Sequence, residues 1–336
     1  MFDIRESKPI IDIIIKELPE RSQDVLSRRI GLSGKKETLE SIGKSYNITR
    51  ERVRQIENKS IETIQNSRNY SKLKNPLLKV KKFIDINGGL KKEDILELLL
   101  APRPEQRSYL YFLLKIGSPF FYHPESTDLY SLWKTKQEAI NYTKIISDYL
   151  LKRMEEEKRL FSKEETIEII EKETPRILKI KLPKDYIVSY IEVTKKIEEN
   201  PFGKLGPAYW PEVTPKNIRD EAYLVLKKEG KPLHFKDLSK IIENHLQRPV
   251  NENTLHNELI KNGNFVLIGR GIYALREWGY DDGTVKDIIK KILKEKGPLD
   301  KNEITKEVLE HRLVRETTII LNLRHFKKSK EGRYSL

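Results

Sequence analysis

The sequence predicts a mainly α-helical protein made of small domains in a row: one helix-turn-helix followed by tandem winged helices with small β-hairpin wings. Three features carry this expectation. Near the N-terminus a compact helix and tight turn, ETLESIGKSYNI, leads straight into TRERVRQIE, a helix whose first turns are rich in charged and amide side chains. Downstream, a short stretch running from a Phe through a polar or Gly-containing turn to a Tyr recurs four times. Upstream of each such stretch a Leu precedes a polar helix start, with amphipathic helices on either side.

In the N-terminal element, Thr49 suits the N-cap of the helix that follows it. The i, i+4 spacing puts Arg50, Glu51, Arg54 and Gln55 on the outward face, while Val53 and Ile56 turn back toward Leu39, Ile42 and Ile48. The beginning of such a helix is the end that enters a major groove. There an arginine fork matches guanine O6 and N7, a carboxylate accepts from cytosine N4, and a glutamine bridges adenine. A charged run of this kind is usually just a solvated helix face, but the cap and the complete turn favour the groove-reading alternative.

Over Leu18 to Ile64, LPERSQDVLSRRIGLSGKKETLESIGKSYNITRERVRQIENKSIETI, the chain resembles region four of bacterial housekeeping sigma factors. The LPER opening, the R-x-GL turn at Arg29 to Leu32, the TLE-x-IG helix and the TRERVRQIE helix occur in order without a large gap. The resemblance implies a module that binds the minus-35 promoter element. Carried over residue by residue, it implies Arg50, Glu51, Arg54 and Gln55 as base readers, with Thr49, Arg52 and Lys59 facing the DNA backbone. Seventeen residues precede Leu18, too few for the domains with which a complete sigma factor grips polymerase and melts DNA, so a stand-alone sigma factor is not expected.

The hairpin signals after Asn75 are the Phe and Tyr pairs 121 and 130, 202 and 209, 265 and 273, and 326 and 334. The recurring Leu stands at 90, 160, 233 and 299, each followed by a helix, and another helix lies between it and the hairpin. Helix, helix, helix, hairpin is the winged-helix order. The expected domains are 1–75 for the helix-turn-helix, then winged-helix units at 76–135, 136–214, 215–281 and 282–336, with exposed connectors at WPEVTP and GYDDG. Ile218 to Tyr280, carried by GKPLHFKDL and GRGIYALREWG, resembles the HARE-HTH winged-helix family, which implies a transcription or DNA-processing context.

Among the winged helices, Arg315 to Phe326 is the most DNA-like third helix. It offers Arg315 and Thr317, and the wing after it adds Lys327, Lys328, Lys330 and Arg333, all candidate phosphate contacts. Arg270 at a glycine-flanked wing tip is either a minor-groove contact or a solvated turn residue. Pro104 to Ile116 is too apolar to face phosphate, and its Tyr109, Tyr111 and Phe112 are expected in a core, with a protein interface as the alternative.

Charge is distributed in agreement with this layout. The net charge is +14, with 16 Lys and Arg against 11 Asp and Glu in Met1 to Asn75, and 14 against 8 in Thr284 to Leu336. The middle, Pro76 to Gly283, is nearly neutral at 35 against 32, which suits protein contacts or a spacer better than phosphate. Cysteine is absent, no signal segment is evident, and IIDIII at Ile10 to Ile15 is far too short to cross a membrane, so a cytoplasmic, nucleoid-associated protein is expected.

No catalytic pattern emerges. GLSGKKET at Gly31 fails the phosphate-loop spacing, the six histidines are scattered, and Glu155 to Glu157 read as a helix surface. No catalytic residue, metal ligand or cofactor is expected, and double-stranded DNA is the expected partner. The resulting expectation is a sequence-specific DNA-binding transcription regulator. One alternative is an RNA polymerase-associated factor, sigma-like or delta-like, that holds the polymerase core through the neutral middle. Another is the DNA-recognition component of a restriction or modification system.

Overall fold

The computed structural model describes residues 4–336, which fall into two compact units: 4–199 with 203–208, and 200–202 with 209–336. The chain is mostly helical, with small antiparallel sheets.

The first unit opens with a 3-10 turn at Ile4–Ser7, then α1 (Lys8–Lys16), α2 (Glu20–Ile30), α3 (Leu39–Tyr46) and α4 (Arg50–Gln65). It continues through a 3-10 segment, Arg68–Leu73, into α5 (Lys74–Ile86), β1 (Leu90–Lys92), α6 (Glu93–Leu100), α7 (Pro104–Ile116), β2 (Phe121–His123) and β3 (Leu132–Lys134). The same order follows in α8 (Glu138–Glu157), β4 (Phe161–Ser162), α9 (Lys163–Ile177), α10 (Lys184–Glu192), β5 (Ile197–Glu199) and β6 (Lys204–Pro207).

In the second unit the order recurs twice. First come α11 (Ile218–Glu229), β7 (Leu233–His234), α12 (Phe235–Leu246), α13 (Glu252–Lys261), β8 (Phe265–Gly269) and β9 (Ile272–Leu275). Then come α14 (Val285–Lys296), α15 (Lys301–His311), α16 (Glu316–Leu323), β10 (Lys327–Lys328) and β11 (Tyr334–Ser335).

The recurring Leu has a structural role: it starts or adjoins the short strand that pairs with the last strand of each wing. The sheet orders are β1-β3-β2, β4-β6-β5 and β7-β9-β8, all antiparallel. In the fourth repeat Leu299 replaces a full strand, exchanging backbone hydrogen bonds with Tyr334 at 3.2 and 2.8 Å. A two- or three-residue strand of this kind satisfies backbone groups that a helix start would otherwise leave bare.

Two hairpins differ in part from the sequence expectation. In the first wing Tyr130 lies two residues before β3, and in the second β5 precedes Phe202 and β6 lies between Phe202 and Tyr209, so Phe202 falls in the turn and Tyr209 beyond the second strand. Pro201 fixes one turn dihedral and Gly203 adopts φ +76°, which makes Asn200 to Gly203 the natural place for the reversal. The asparagine side chain supports it, its Oδ1 accepting from the Phe202 N–H at 3.0 Å.

A single apolar core joins the N-terminal helices to the first winged helix. Leu18, Leu26, Ile30 and Ile64 pack with Leu100, Leu110, Phe112, Leu113, Ile116 and Trp133. The third helix α7 is therefore buried, Phe112 fully so, with Tyr109 and Tyr111 packed at the margin. Polar contacts add to the seam: the Gln65 amide donates to the Ile116 carbonyl at 2.8 Å and the Ser108 hydroxyl to the Gly31 carbonyl at 2.8 Å. The third helix of the next repeat, α10, is also occupied. Its Tyr190 hydroxyl donates to the Gly88 carbonyl at 2.8 Å, and Glu192 pairs with the buried Lys91 at 2.6 Å.

The connector 280–283 departs from the loose segment expected of it. Asp281 accepts from Lys291 at 2.8 Å and lies 3.3 Å from His311 Nδ1, while Asp282 pairs with Arg276. WPEVTP is tied as well, through the Glu212 pair with Lys227 at 2.7 Å and the buried Val213. Both stretches keep exposed residues but are held at several points.

Candidate nucleic-acid interface

The N-terminal helix-turn-helix is built from behind. Val25, Ile42 and Val53 are fully buried, with Leu39, Tyr46, Ile48 and Ile56 packed around them, so the back of α4 faces α2 and α3 as its spacing predicts. The turn between α3 and α4 depends on close backbone approach. Asn47 takes the left-handed conformation at φ +52°, the Ile48 N–H donates to the Gly43 carbonyl at 2.9 Å, and a Cβ on Gly43 would stand 2.7 Å from the Ile48 carbonyl oxygen. Thr49 caps α4 as its sequence suggests, accepting from the Arg52 N–H at 3.2 Å, and the structure adds a matching cap on α3, where Thr38 accepts from the Ser41 N–H at 3.1 Å.

A polar clamp fixes the angle between α2 and the HTH. Arg28 is bidentate on Glu37 at 2.7 and 2.8 Å, reaches Asp24 at 3.3 Å and donates to the Ser45 hydroxyl at 2.9 Å. These donors, with the Ser41 hydroxyl, hold the Glu37 carboxyl at about 2, well below its ordinary value. Behind α4, the buried Glu57 carboxylate accepts from Arg29 at 3.2 Å and lies 3.6 Å from Lys115 of α7. Apart from Arg29, which opens the R-x-GL turn, these residues did not stand out in the sequence, because an isolated Arg or Glu on a helix looks the same whether it is clamped or solvated.

With its back thus fixed, α4 presents Arg50, Glu51, Arg52, Arg54, Gln55 and Lys59 to solvent, with Thr49 exposed at its head. Two pairs order this face. Arg54 is bidentate on Glu51 at 2.9 and 2.7 Å, and Arg52 donates to the Gln55 amide oxygen at 3.0 Å. The Arg54 guanidinium keeps the Glu51 carboxyl below the usual carboxylate range. Both contacts are exposed, one an ion pair and the other a hydrogen bond to a neutral amide, and exposed contacts of this kind are weak, so the face is ordered without being locked.

The remaining candidate residues lie in the second unit. Arg270 is exposed at the β8–β9 tip, and Gly271 beside it, at φ +72°, has no room for a Cβ because His234 Nε2 would be 2.6 Å away. Arg315 stands at the N-cap position of α16, Thr317 lies in its first turn, and Lys327, Lys328, Lys330 and Arg333 line the last wing, all exposed. Unlike α7 and α10, the third helices α13 and α16 leave one side open, exposing Asn253, Thr254 and Asn257 on one and Thr317 and Thr318 on the other. That open side of α16 also carries Ile320 and Leu321, more apolar than a phosphate contact calls for.

Among the described residues no group of His, Cys, Asp and Glu could hold a metal ion, and no helix is long and apolar enough to cross a membrane.

Comparison with known proteins matches two parts of this architecture. The family model of Sigma-70, region 4 covers residues 14–66. The same region is 42% identical over 59 residues to the RNA polymerase sigma factor SigA of Lactococcus lactis subsp. cremoris, which is 17% of this chain and 16% of that protein. It is 43% identical over 65 residues to SigA of Clostridium acetobutylicum, 19% and 17% of the two chains, and 44% over 62 residues to SigA1 of Synechococcus elongatus, 18% and 16%. The chain thus spans about a sixth of the length of the sigma factors it matches. The HARE-HTH family model, an HTH domain whose description includes restriction endonucleases, covers residues 217–278. The chain carries a sigma-70 region 4 helix-turn-helix at its N-terminus and a HARE-HTH winged helix in its second unit.

Proposed function

We propose that the protein is a sequence-specific, double-stranded DNA-binding transcription regulator that reads base edges with α4. The observation that carries this reading is the exposed set Arg50, Glu51, Arg54 and Gln55 at the start of a capped helix whose back is fully engaged in a core. Arg52, Lys59 and the capping Thr49 serve as flanking backbone contacts, and Arg270, Arg315, Thr317, Lys327, Lys328, Lys330 and Arg333 as phosphate contacts of the second unit. The role is one of binding, without catalysis, in the cytoplasm. The first two winged helices act as structure, since α7 and α10 spend their faces on intramolecular packing. Selection from randomised duplexes tests the reading: a defined motif should emerge with the native chain and degrade with Arg54→Ala.

A second reading, an RNA polymerase-associated factor, is favoured by the likeness of residues 14–66 to proteins named as sigma factors. Against it stands α7, which covers the apolar side of the N-terminal helices and leaves that side no room for a partner protein. Co-purification of core polymerase at moderate salt would support this second reading, and its absence would leave the first.

A further inference from the structure

The last two winged helices meet at a junction that nothing in the sequence marks. Arg312 is 4% exposed, and its guanidinium donates to the Leu267 carbonyl of β8 and to the Gly283 carbonyl of the connector, leaving Nε without a partner among the described residues. The next residue continues the seam: the Leu313 N–H donates to the Ile268 carbonyl at 3.0 Å. One step further along, a Cβ on Gly269 would stand 2.5 Å from the Leu313 carbonyl oxygen, so only glycine permits this approach. The free edge of β8 is thus covered by the segment that leads into α16.

Leu313 meets two successive residues of β8, its N–H on the Ile268 carbonyl and its carbonyl oxygen against Gly269, while the Arg312 side chain reaches back to Leu267. Arg270 directly follows Gly269 in the β8–β9 turn and Arg315 stands two residues after Leu313 at the head of α16, so each lies within two residues of a seam contact. Both are exposed and neither enters an ion pair with the described residues. A buried arginine is costly unless its surroundings require it, and here it is placed where it registers one winged helix against the next.

We infer that the two C-terminal winged helices grip duplex phosphates as one body, with Arg270 of one and Arg315 of the other presented together across the seam that Arg312 locks. The ligand class is the sugar-phosphate backbone of double-stranded nucleic acid, contacted without regard to sequence. The Lys327, Lys328, Lys330 and Arg333 wing belongs to the same body and carries the same sign of charge. This goes beyond base reading by α4 and fails separately from it, because the readout is affinity for random duplex and its salt dependence.

The experiment uses the full chain carrying Arg54→Ala, so that base reading is already impaired, and random duplex between 50 and 200 mM salt. Each lost phosphate contact makes the logarithmic salt slope shallower by about one, which is roughly a three- to fourfold smaller fall in affinity across that range. Arg270→Ala and Arg315→Ala should each show this. Arg312→Met, which removes a side chain too buried to touch DNA, should also flatten the slope by about one because it uncouples the two exposed arginines. Gly269→Ala should act in the same direction by forcing the seam apart without changing charge, and it serves if Arg312→Met unfolds. An unchanged slope in Arg270→Ala or Arg315→Ala would overturn the surface. If both surface variants flatten the slope but a folded Arg312→Met or Gly269→Ala does not, the domains act independently and the single-body inference is wrong.

Discussion

At Arg54 two guanidinium nitrogens meet the two carboxylate oxygens of Glu51, a fork already holding the two-acceptor geometry that a guanine edge offers. Because an exposed pair of this kind is weak, exchanging the carboxylate for a base would cost little on the proposed reading, and Glu51 would then be free to accept from a neighbouring cytosine. Arg54→Ala should lower affinity for the selected motif by about tenfold to a hundredfold and affinity for random duplex far less, as titration on both DNAs will show. Full retention of preference would remove α4 from the reading role. Gly43 supports the same site from the turn. With a backbone oxygen 2.7 Å from the position of a Cβ, Gly43→Ala should destabilise the first unit by about 1–3 kcal/mol in denaturant unfolding, since neither side of that contact is a flexible side chain.

Among the elements, the α2 to α3 clamp makes a pH prediction. Glu37 titrates near 2 in the folded chain, below its ordinary value of 4.5, so its contribution to stability is fully present above 4.5 and is lost as pH falls toward 2. Thermal unfolding should show Glu37→Gln less stable than the native chain at pH 6 and the gap closing at pH 2.5. A gap that stays constant would mean the clamp acts through packing. The helix-turn-helix was legible because caps, turn residues and the back-facing apolar positions are all local. The second wing was not: an aromatic pair eight or so residues apart looks the same whether it occupies strands or, like Phe202, the turn. Arg312 and Arg315 are likewise indistinguishable in RLVRET, and only the strand edge beside Arg312 makes one a clasp and the other a surface residue.

For the whole molecule, the basic ends predict strong salt dependence, with affinity for duplex falling steeply between 50 and 200 mM salt. A nearly flat response would contradict phosphate contact anywhere in the chain. The tied connector predicts that limited proteolysis will not release a fragment beginning near Asp281, since cleavage requires a local opening that the Lys291, His311, Arg276 and Arg312 contacts oppose. Early cleavage there would mean the seam opens freely. The four-fold recurrence of one topology was visible in the sequence, and so was the burial of α7, whose apolar run leaves no phosphate-facing side; the burial of α10 was not, because it depends on Gly88 and Lys91, remote in the chain.

The core shared by α2, α4 and α7 also decides whether the N-terminal helix-turn-helix is portable. Residues 14–66 look like a cassette that could be grafted onto another protein to lend it a DNA address. Excised, they would bare Leu26, Ile30 and Ile64, which α7 and its neighbours now cover, and the graft would aggregate or drift in shape. On the proposed reading, a transferable reader must therefore extend at least through Lys134, and a chimera built that way should keep its address where the bare cassette loses it.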